Sequence, residues 1–123
     1  MKKIAIFASG TGTNFEALAD SDEIKSLADI KIMVCDKPDA RVIEKAKTRN
    51  IETFVFNPKD YENKNAYEEE ILKKVKNLDF IFLAGYMRIL TGDFLENFAG
   101  KVINIHPSLL PKYKGIESIK RAY

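Results

Sequence analysis

Residues 3–14 read KIAIFASGTGTN, an unbroken apolar run followed by a glycine loop. The run from Lys3 to Ala8 is short and mostly apolar, which predicts a strand buried on both faces. Asn14 then begins a segment whose apolar side chains share one helical face: Phe15, Leu18 and Ala19. A strand, a glycine loop and a helix in this order predict the first unit of a parallel α/β sheet.

The same alternation continues along the chain. Apolar runs predict four further strands, at Ile30–Cys35, Ile51–Phe56, Phe80–Ala84 and Lys101–Ile105. Apolar residues at helical spacing predict further helices, at Ala40–Thr48, Asn65–Leu78, Thr91–Phe98 and Gly115–Tyr123. Together they predict an open, mostly parallel sheet of about five strands flanked by helices, a Rossmann-like α/β fold.

The composition is that of a single globular domain. The 123 residues are 46% hydrophobic and carry a formal net charge of +2, which excludes intrinsic disorder and gives no strong field for a nucleic-acid surface. No apolar run approaches the roughly 20 residues of a membrane span. Cys35 is the only cysteine and cannot form an internal disulfide. With no signal-peptide pattern at the N-terminus, we expect a reducing, cytoplasmic location.

The predicted helix over Asn65–Leu78 combines an apolar stripe with a run of charges. The stripe consists of Tyr67, Ile71, Val75 and Leu78. Glutamates precede lysines along the helix, as its dipole favours: Glu68, Glu69, Glu70, Lys73, Lys74 and Lys76. We interpret this charge run as a solvated helix face rather than as a surface for a partner.

The first candidate site is the glycine loop. In an open parallel sheet, ligands bind beyond the carboxyl ends of the strands, and the free amides of a helix start favour an anion. Phe15 stands where a dinucleotide fingerprint has its third glycine, and no P-loop lysine follows. We therefore predict a site for one phosphate monoester at Gly10, Thr11, Gly12, Thr13 and Asn14. The alternative is an ordinary glycine turn in which Asn14 or Thr13 caps the helix.

The second candidate is Gly85–Leu90, which reads GYMRIL and follows the fourth predicted strand. Its apolar residues around Arg88 would form one wall of a flat ligand pocket. From these residues alone we favour the alternative, in which Met87, Ile89 and Leu90 pack in the core and Arg88 is solvated.

The third candidate is Asn104–Pro111, which reads NIHPSLLP. Asn104 and His106 are two residues apart at the end of a strand, so their side chains project from the same face. Asn104 is suited to stabilise an oxyanion while His106, the only histidine, moves a proton, a pairing that favours acyl transfer. The alternative is a histidine that only ends a strand. One histidine without an acidic cluster cannot complete a coordination shell, so we expect no metal.

Three motifs resemble those of the phosphoribosylglycinamide formyltransferases, the folate-dependent enzymes of purine biosynthesis. They are Ser9–Asn14 (SGTGTN), Leu83–Leu90 (LAGYMRIL) and Val102–Tyr113 (VINIHPSLLPKY), in the family's order and spacing. The likeness extends from Lys2 to Tyr123. It implies transfer of a formyl group from 10-formyltetrahydrofolate to the amine of phosphoribosylglycinamide, on the family's Rossmann-like fold.

The resemblance also implies a role for each motif. The loop from Gly10 to Asn14 would hold the substrate phosphate, and Asn104 and His106 match the two catalytic positions. The positions implied to bind folate are Lys64, Met87, Arg88, Ile89, Leu90 and Asn104, which reverses our preference for core packing. Lys64 stands where many members have an arginine, so the charge is kept without bidentate bonding. The implied partners are small molecules, without metal, nucleic acid or membrane, and a homodimer is a further expectation.

One residue implied by the resemblance is missing from the chain. The family's third catalytic residue is an aspartate that would lie beyond Tyr123, and no aspartate follows Asp93. We therefore predict that residues 1–123 form the N-terminal, phosphate-binding domain of such an enzyme, truncated at its C-terminal end and poorly active alone. The alternatives are a formyltetrahydrofolate deformylase, a methionyl-tRNA formyltransferase and a non-catalytic phosphate-binding remnant.

Overall fold

In a computed structural model of the chain, residues 1–105 are described. Within them, five strands form one sheet: β1 (Lys2–Ala8), β2 (Ala28–Cys35), β3 (Glu52–Val55), β4 (Phe80–Leu83) and β5 (Lys101–Asn104). Their order across the sheet is β3-β2-β1-β4-β5, and all neighbouring pairs run parallel. The predicted parallel sheet is confirmed, with small differences at the strand ends.

Helices connect these strands. Within residues 1–105 they are α1 (Thr13–Ala19), α2 (Asp22–Leu27), α3 (Val42–Thr48), α4 (Lys64–Val75) and α5 (Gly92–Asn97), with a short 3₁₀ helix at Pro58–Asp60. In that part of the chain, no helix has the length and apolar character needed to cross a membrane. The predicted helix over Gly115–Tyr123 lies outside the described residues.

Helix α2 was not predicted because its sequence has almost no apolar periodicity. Ile24 is its only buried residue. The helix is set instead by its first turn, where the Ser21 hydroxyl accepts a hydrogen bond from the Ile24 amide at 3.3 Å. Such a helix depends on capping rather than on an apolar stripe.

Each face of the sheet has its own core, and β1 contributes to both. Ile4, Ile6 and Ala8 pack with residues of α1 and α3 on one face. Ala5 and Phe7 pack with residues of α4 and α5 on the other. Alternate side chains of a strand point to opposite faces, so a strand covered on both faces needs an unbroken apolar run. This is the reason that residues 4–8 contain no polar side chain.

The charge run on α4 is not wholly solvated, and our interpretation was wrong for Glu68. This side chain is only 3% exposed. Its carboxylate accepts hydrogen bonds from both the backbone amide and the hydroxyl of Thr91. The Thr91 hydroxyl in turn caps α5 by accepting from the Phe94 amide at 3.2 Å. Glu68 therefore joins α4 to the start of α5, while Glu70 pairs at the surface with Lys73 at 2.8 Å.

Four charged side chains tie α1 and its C-cap to α3 and its C-cap. Arg49 donates to both carboxylate oxygens of Asp20 at 2.8 Å and to Glu16 at 3.2 Å. Lys45 donates to Glu16 at 2.7 Å. The hydrogen bond from Lys45 lowers the pKa of Glu16, and the bonds from Arg49 lower the pKa of Asp20. Both carboxylates are thus stabilised in their charged forms.

We predict that Arg49→Gln lowers stability more at neutral than at acidic pH. The folded-state pKa values of Glu16 and Asp20 lie below their ordinary values of 4.5 and 3.8. The stability that these two carboxylates contribute is therefore complete above the ordinary values, and it is lost as the pH falls through the folded-state values. Urea unfolding at about pH 7 and about pH 3 measures the difference between wild type and variant. Arg41→Gln, at the exposed start of α3, is the control. An equal loss at both pH values would contradict the role of this network.

Candidate functional site

The loop after β1 packs tightly against the start of α3. Gly12 adopts φ +83°, and a Cβ at this position would lie 2.7 Å from Cγ2 of Val42. The Val42 amide donates to the Gly10 carbonyl at 3.3 Å. A Cβ at Gly10, by contrast, would meet no atom within 4 Å. Glycine is therefore required at position 12 for both conformation and space, whereas Gly10 faces open space.

Helix α1 begins without a side-chain cap. Its N-cap residue is Gly12, and within the described chain no side chain accepts a hydrogen bond there. The alternative in which Asn14 or Thr13 caps the helix is therefore wrong, since both lie inside the helix. The hydroxyls of Thr11 and Thr13 lie 3.2 Å apart, beside the uncapped turn. Amides without a protein acceptor are what an anion site offers.

A cavity of about 230 Å³ opens over this loop and is called the loop cavity below. All five predicted phosphate positions line it, together with Ser9, Lys37, Ala84, Gly85 and Met87. Lys37 was not predicted as a site residue, because Asp36–Asp39 directly follows a predicted strand and has the composition of a turn. The signal that identifies it is topological. β2 lies next to β1, so the residues after β2 reach the same edge of the sheet as the glycine loop.

Residues 85–90, called the crossing segment below, run across this edge of the sheet. Gly85, at φ +79°, turns the chain as it leaves β4. The Met87 amide donates to the Ser9 hydroxyl at 2.8 Å. Arg88 Nε then donates to Asp36 Oδ2 at 3.1 Å. Because β1 lies between β2 and β4, the segment passes over the end of β1 and reaches the end of β2.

The core-packing alternative for this segment is wrong for two of its three residues. Met87 is 72% exposed and Ile89 is 80% exposed. Only Leu90 packs against a core cluster. Arg88 is half-exposed and forms an ion pair with Asp36 rather than lying wholly in solvent.

The Asp36 carboxylate is 2% exposed, and its Oδ1 has no hydrogen-bond partner among the described residues. The same holds for the hydroxyl of Tyr86, whose ring meets Phe7 edge-on with centroids 5.2 Å apart. Burial, with the negative charge of Asp36 nearby, raises the pKa of Tyr86. Asp36 was missed because its position after a strand and before Pro38 is typical of a turn, and its partner Arg88 is distant in sequence.

A second cavity, of about 600 Å³, lies between the crossing segment and β5 and is called the outer cavity below. Its lining includes four of the six predicted folate residues: Arg88, Ile89, Leu90 and Asn104. Met87 lines the loop cavity instead, and Lys64, the first residue of α4, lines neither. Asn104 ends β5 in register with Leu83 of β4. His106 lies outside the described residues, so its pairing with Asn104 stays a prediction.

The described residues show no metal cluster. Across residues 1–105, no group of three or more His, Cys, Asp or Glu side chains is placed to hold a metal ion. Cys35 ends β2 fully buried, and its thiol donates to the Lys37 carbonyl at 3.3 Å. Burial raises the pKa of this thiol. Cys35 is therefore a poor nucleophile in the folded protein.

Known proteins of similar sequence share this fold. A family model described as formyl transferase matches residues 2–123. The phosphoribosylglycinamide formyltransferase of Bacillus subtilis is 46% identical, with 100% of this chain and 65% of that protein covered. The enzyme of the same name from Haemophilus influenzae is 42% identical, with 99% and 59% covered. The crystal structure of glycinamide ribonucleotide transformylase 1 from Geobacillus kaustophilus matches with a TM-score of 0.80 at 44% identity, over 99% of this chain and 68% of that chain. The chain thus spans less than two thirds of the length of these two curated relatives.

We predict that Gly12→Ala destabilises the protein, whereas Gly10→Ala does not. The alanine methyl at position 12 would overlap Val42 and require a positive φ, a loss of about 2 kcal/mol or more. The free energy of unfolding, measured in urea, gives the comparison. Gly10→Ala is the matched control, because its methyl group enters open space. Equal stability of the two variants would contradict the packing described for this loop.

Proposed function

We infer that this chain, which belongs to the formyl transferase family, carries the substrate-binding part of an enzyme that transfers a formyl group from 10-formyltetrahydrofolate to the amine of phosphoribosylglycinamide. One observation carries the proposal: the crossing segment lines two cavities, one over the glycine loop and one that runs along β5 to Asn104. Two substrates bound on either side of one thin wall can bring their reacting atoms together at its end.

The loop cavity is the proposed site of the substrate phosphate. Its glycine loop lets backbone amides approach an anion closely, and Lys37 adds a positive charge to the lining. An ammonium group is a strong point-charge partner for a phosphate. The size of the cavity suits one phosphate group with part of a sugar.

The outer cavity is the proposed site of the formyl folate. Its volume is within the usual range for a small-molecule site, and Tyr86, Ile89 and Leu90 give it an apolar wall for a flat ring. Arg88 and Lys101 supply positive charge along its lining. For Lys64, the contact with folate is proposed on the family pattern alone.

The chemistry we propose centres on Asn104 and His106. The substrate amine attacks the formyl carbon, and a tetrahedral intermediate forms with negative charge on the former carbonyl oxygen. The amide N–H of Asn104 stabilises that oxyanion. His106 assists and moves the proton from the attacking amine to N10 of the folate, as the bond from the formyl carbon to N10 breaks. No atom changes its oxidation state in this reaction.

The proposed partners are the two small-molecule substrates, and the proposed setting is the cytoplasm. A single buried thiol, Cys35, suits a reducing compartment. The relatives are longer than this chain, so both experiments below use the full natural length of the protein.

We predict that Asn104→Ala abolishes most formyl transfer. Loss of one oxyanion donor lowers kcat by about a hundredfold or more. Steady-state transfer from 10-formyltetrahydrofolate to phosphoribosylglycinamide measures it. Asn97→Ala is the matched control, because Asn97 is exposed on α5, where its amide donates to the Asp93 carbonyl. Wild-type kcat in Asn104→Ala would overturn the proposed mechanism.

We predict that Lys37→Gln weakens binding of the phosphorylated substrate. Loss of a charge-assisted hydrogen bond raises KM for phosphoribosylglycinamide by about tenfold or more. The same substitution is expected to have no effect on the KM of ribosylglycinamide, which lacks the phosphate. Lys47→Gln, on the exposed face of α3, is the control for loss of one positive charge. An equal effect on both substrates would place the phosphate elsewhere.

A further inference from the structure

Two anchors from neighbouring strands hold the crossing segment. Ser9, directly after β1, accepts from the Met87 amide, and Asp36, directly after β2, accepts from Arg88. Adjacent strands lie about 4.8 Å apart, so the segment and its Arg88 side chain together span two strand spacings, roughly 10 Å, from β4 to β2. Ser9 fixes the middle of this path and Asp36 fixes its far end.

The anchor at Asp36 depends on its charge. A carboxylate that is 2% exposed is costly unless it is paired, and Arg88 Nε is the partner that contacts it. An ion pair with one buried partner contributes little net stability, because the desolvation of Asp36 offsets the attraction. Its effect is to specify position: the Arg88 guanidinium has its counter-charge at one place on the sheet edge.

The position of the crossing segment affects both cavities. Gly85 and Met87 line the loop cavity, whereas Tyr86, Arg88 and Ile89 line the outer cavity. The segment is therefore a shared wall. A shift of this wall widens one cavity at the expense of the other.

We propose that Asp36 is a positioning residue: by holding Arg88, it fixes the wall between the two cavities and thereby the separation of the two bound substrates. Asp36 itself lines neither cavity, so it acts through Arg88. This proposal rests on the function proposed above. A misplaced wall lowers the fraction of bound pairs in reactive geometry.

The first test is structural and independent of activity. Asp36→Asn keeps the shape of the side chain but removes its charge, so the crossing segment is released. Hydrogen exchange of the Met87 amide, followed by NMR in the full natural protein, is expected to become about fivefold faster. Asp39→Asn, an exposed acid of the same turn, is the control and is expected to leave the exchange rate unchanged. Unchanged exchange in Asp36→Asn would overturn the proposal.

The second test separates positioning from loss of stability. In Asp36→Asn, we expect kcat to fall and KM to rise for both substrates, each about fivefold, because the released segment lines both cavities. A merely structural role would reduce the amount of active protein and lower kcat with neither KM changed. That result, or kinetics equal to those of Asp39→Asn, would overturn the proposal.

The outcomes also distinguish this proposal from the proposed function. A wild-type protein that catalyses no transfer contradicts the proposed function. Hydrogen exchange of the Met87 amide still tests whether Asp36 holds the crossing segment. If Asp36→Asn does not fold, Arg88→Lys takes its place, because lysine keeps the charge but lacks the Nε donor. The same changes in Met87 exchange and in KM are expected for it, and their absence counts against the proposal.

Discussion

The burial of β1 on both faces is the constraint on which the rest of the structure depends. This strand lies at the centre of the sheet, and its alternate side chains enter two separate cores. β2 and β4 pair with it in parallel, so the residues that follow all three strands meet at one edge. The glycine loop, the Asp36–Lys37 turn and the crossing segment are thus brought together by the sheet, although they are far apart in sequence.

Two cations at this edge of the sheet, Arg88 and Lys37, have different electrostatic roles. Asp36 and Arg88 form an ion pair, so their charges largely offset each other. Lys37, which follows Asp36 directly, is the one cation among the described residues that line the loop cavity. Without Arg88, the negative charge of Asp36, the neighbour of Lys37 in the chain, would be unpaired and would oppose a bound anion. The ion pair therefore supports the loop cavity as well as the wall.

What was predicted correctly from the sequence depends on local patterns. Five parallel strands follow from apolar runs, because the part of a strand that is covered on both faces is made of apolar residues. What was missed depends on partners distant in sequence. Glu68 is buried because Thr91 supplies two donors, and Asp36 is buried because Arg88 crosses two strands to reach it. α2 has too few apolar residues for any periodicity to predict it.

The crossing segment also explains why large apolar side chains are exposed at this edge. Met87 and Ile89 are among the most exposed large apolar residues described, yet the backbone that carries them is held in place. Polar contacts provide that hold, through the Met87 amide and the Arg88 guanidinium, rather than packing of the apolar side chains themselves. A segment positioned by packing would have to bury those side chains. Because this one is positioned by hydrogen bonds, Met87 can face the loop cavity and Ile89 the outer cavity, where apolar contact with a bound molecule lowers the free energy of the complex.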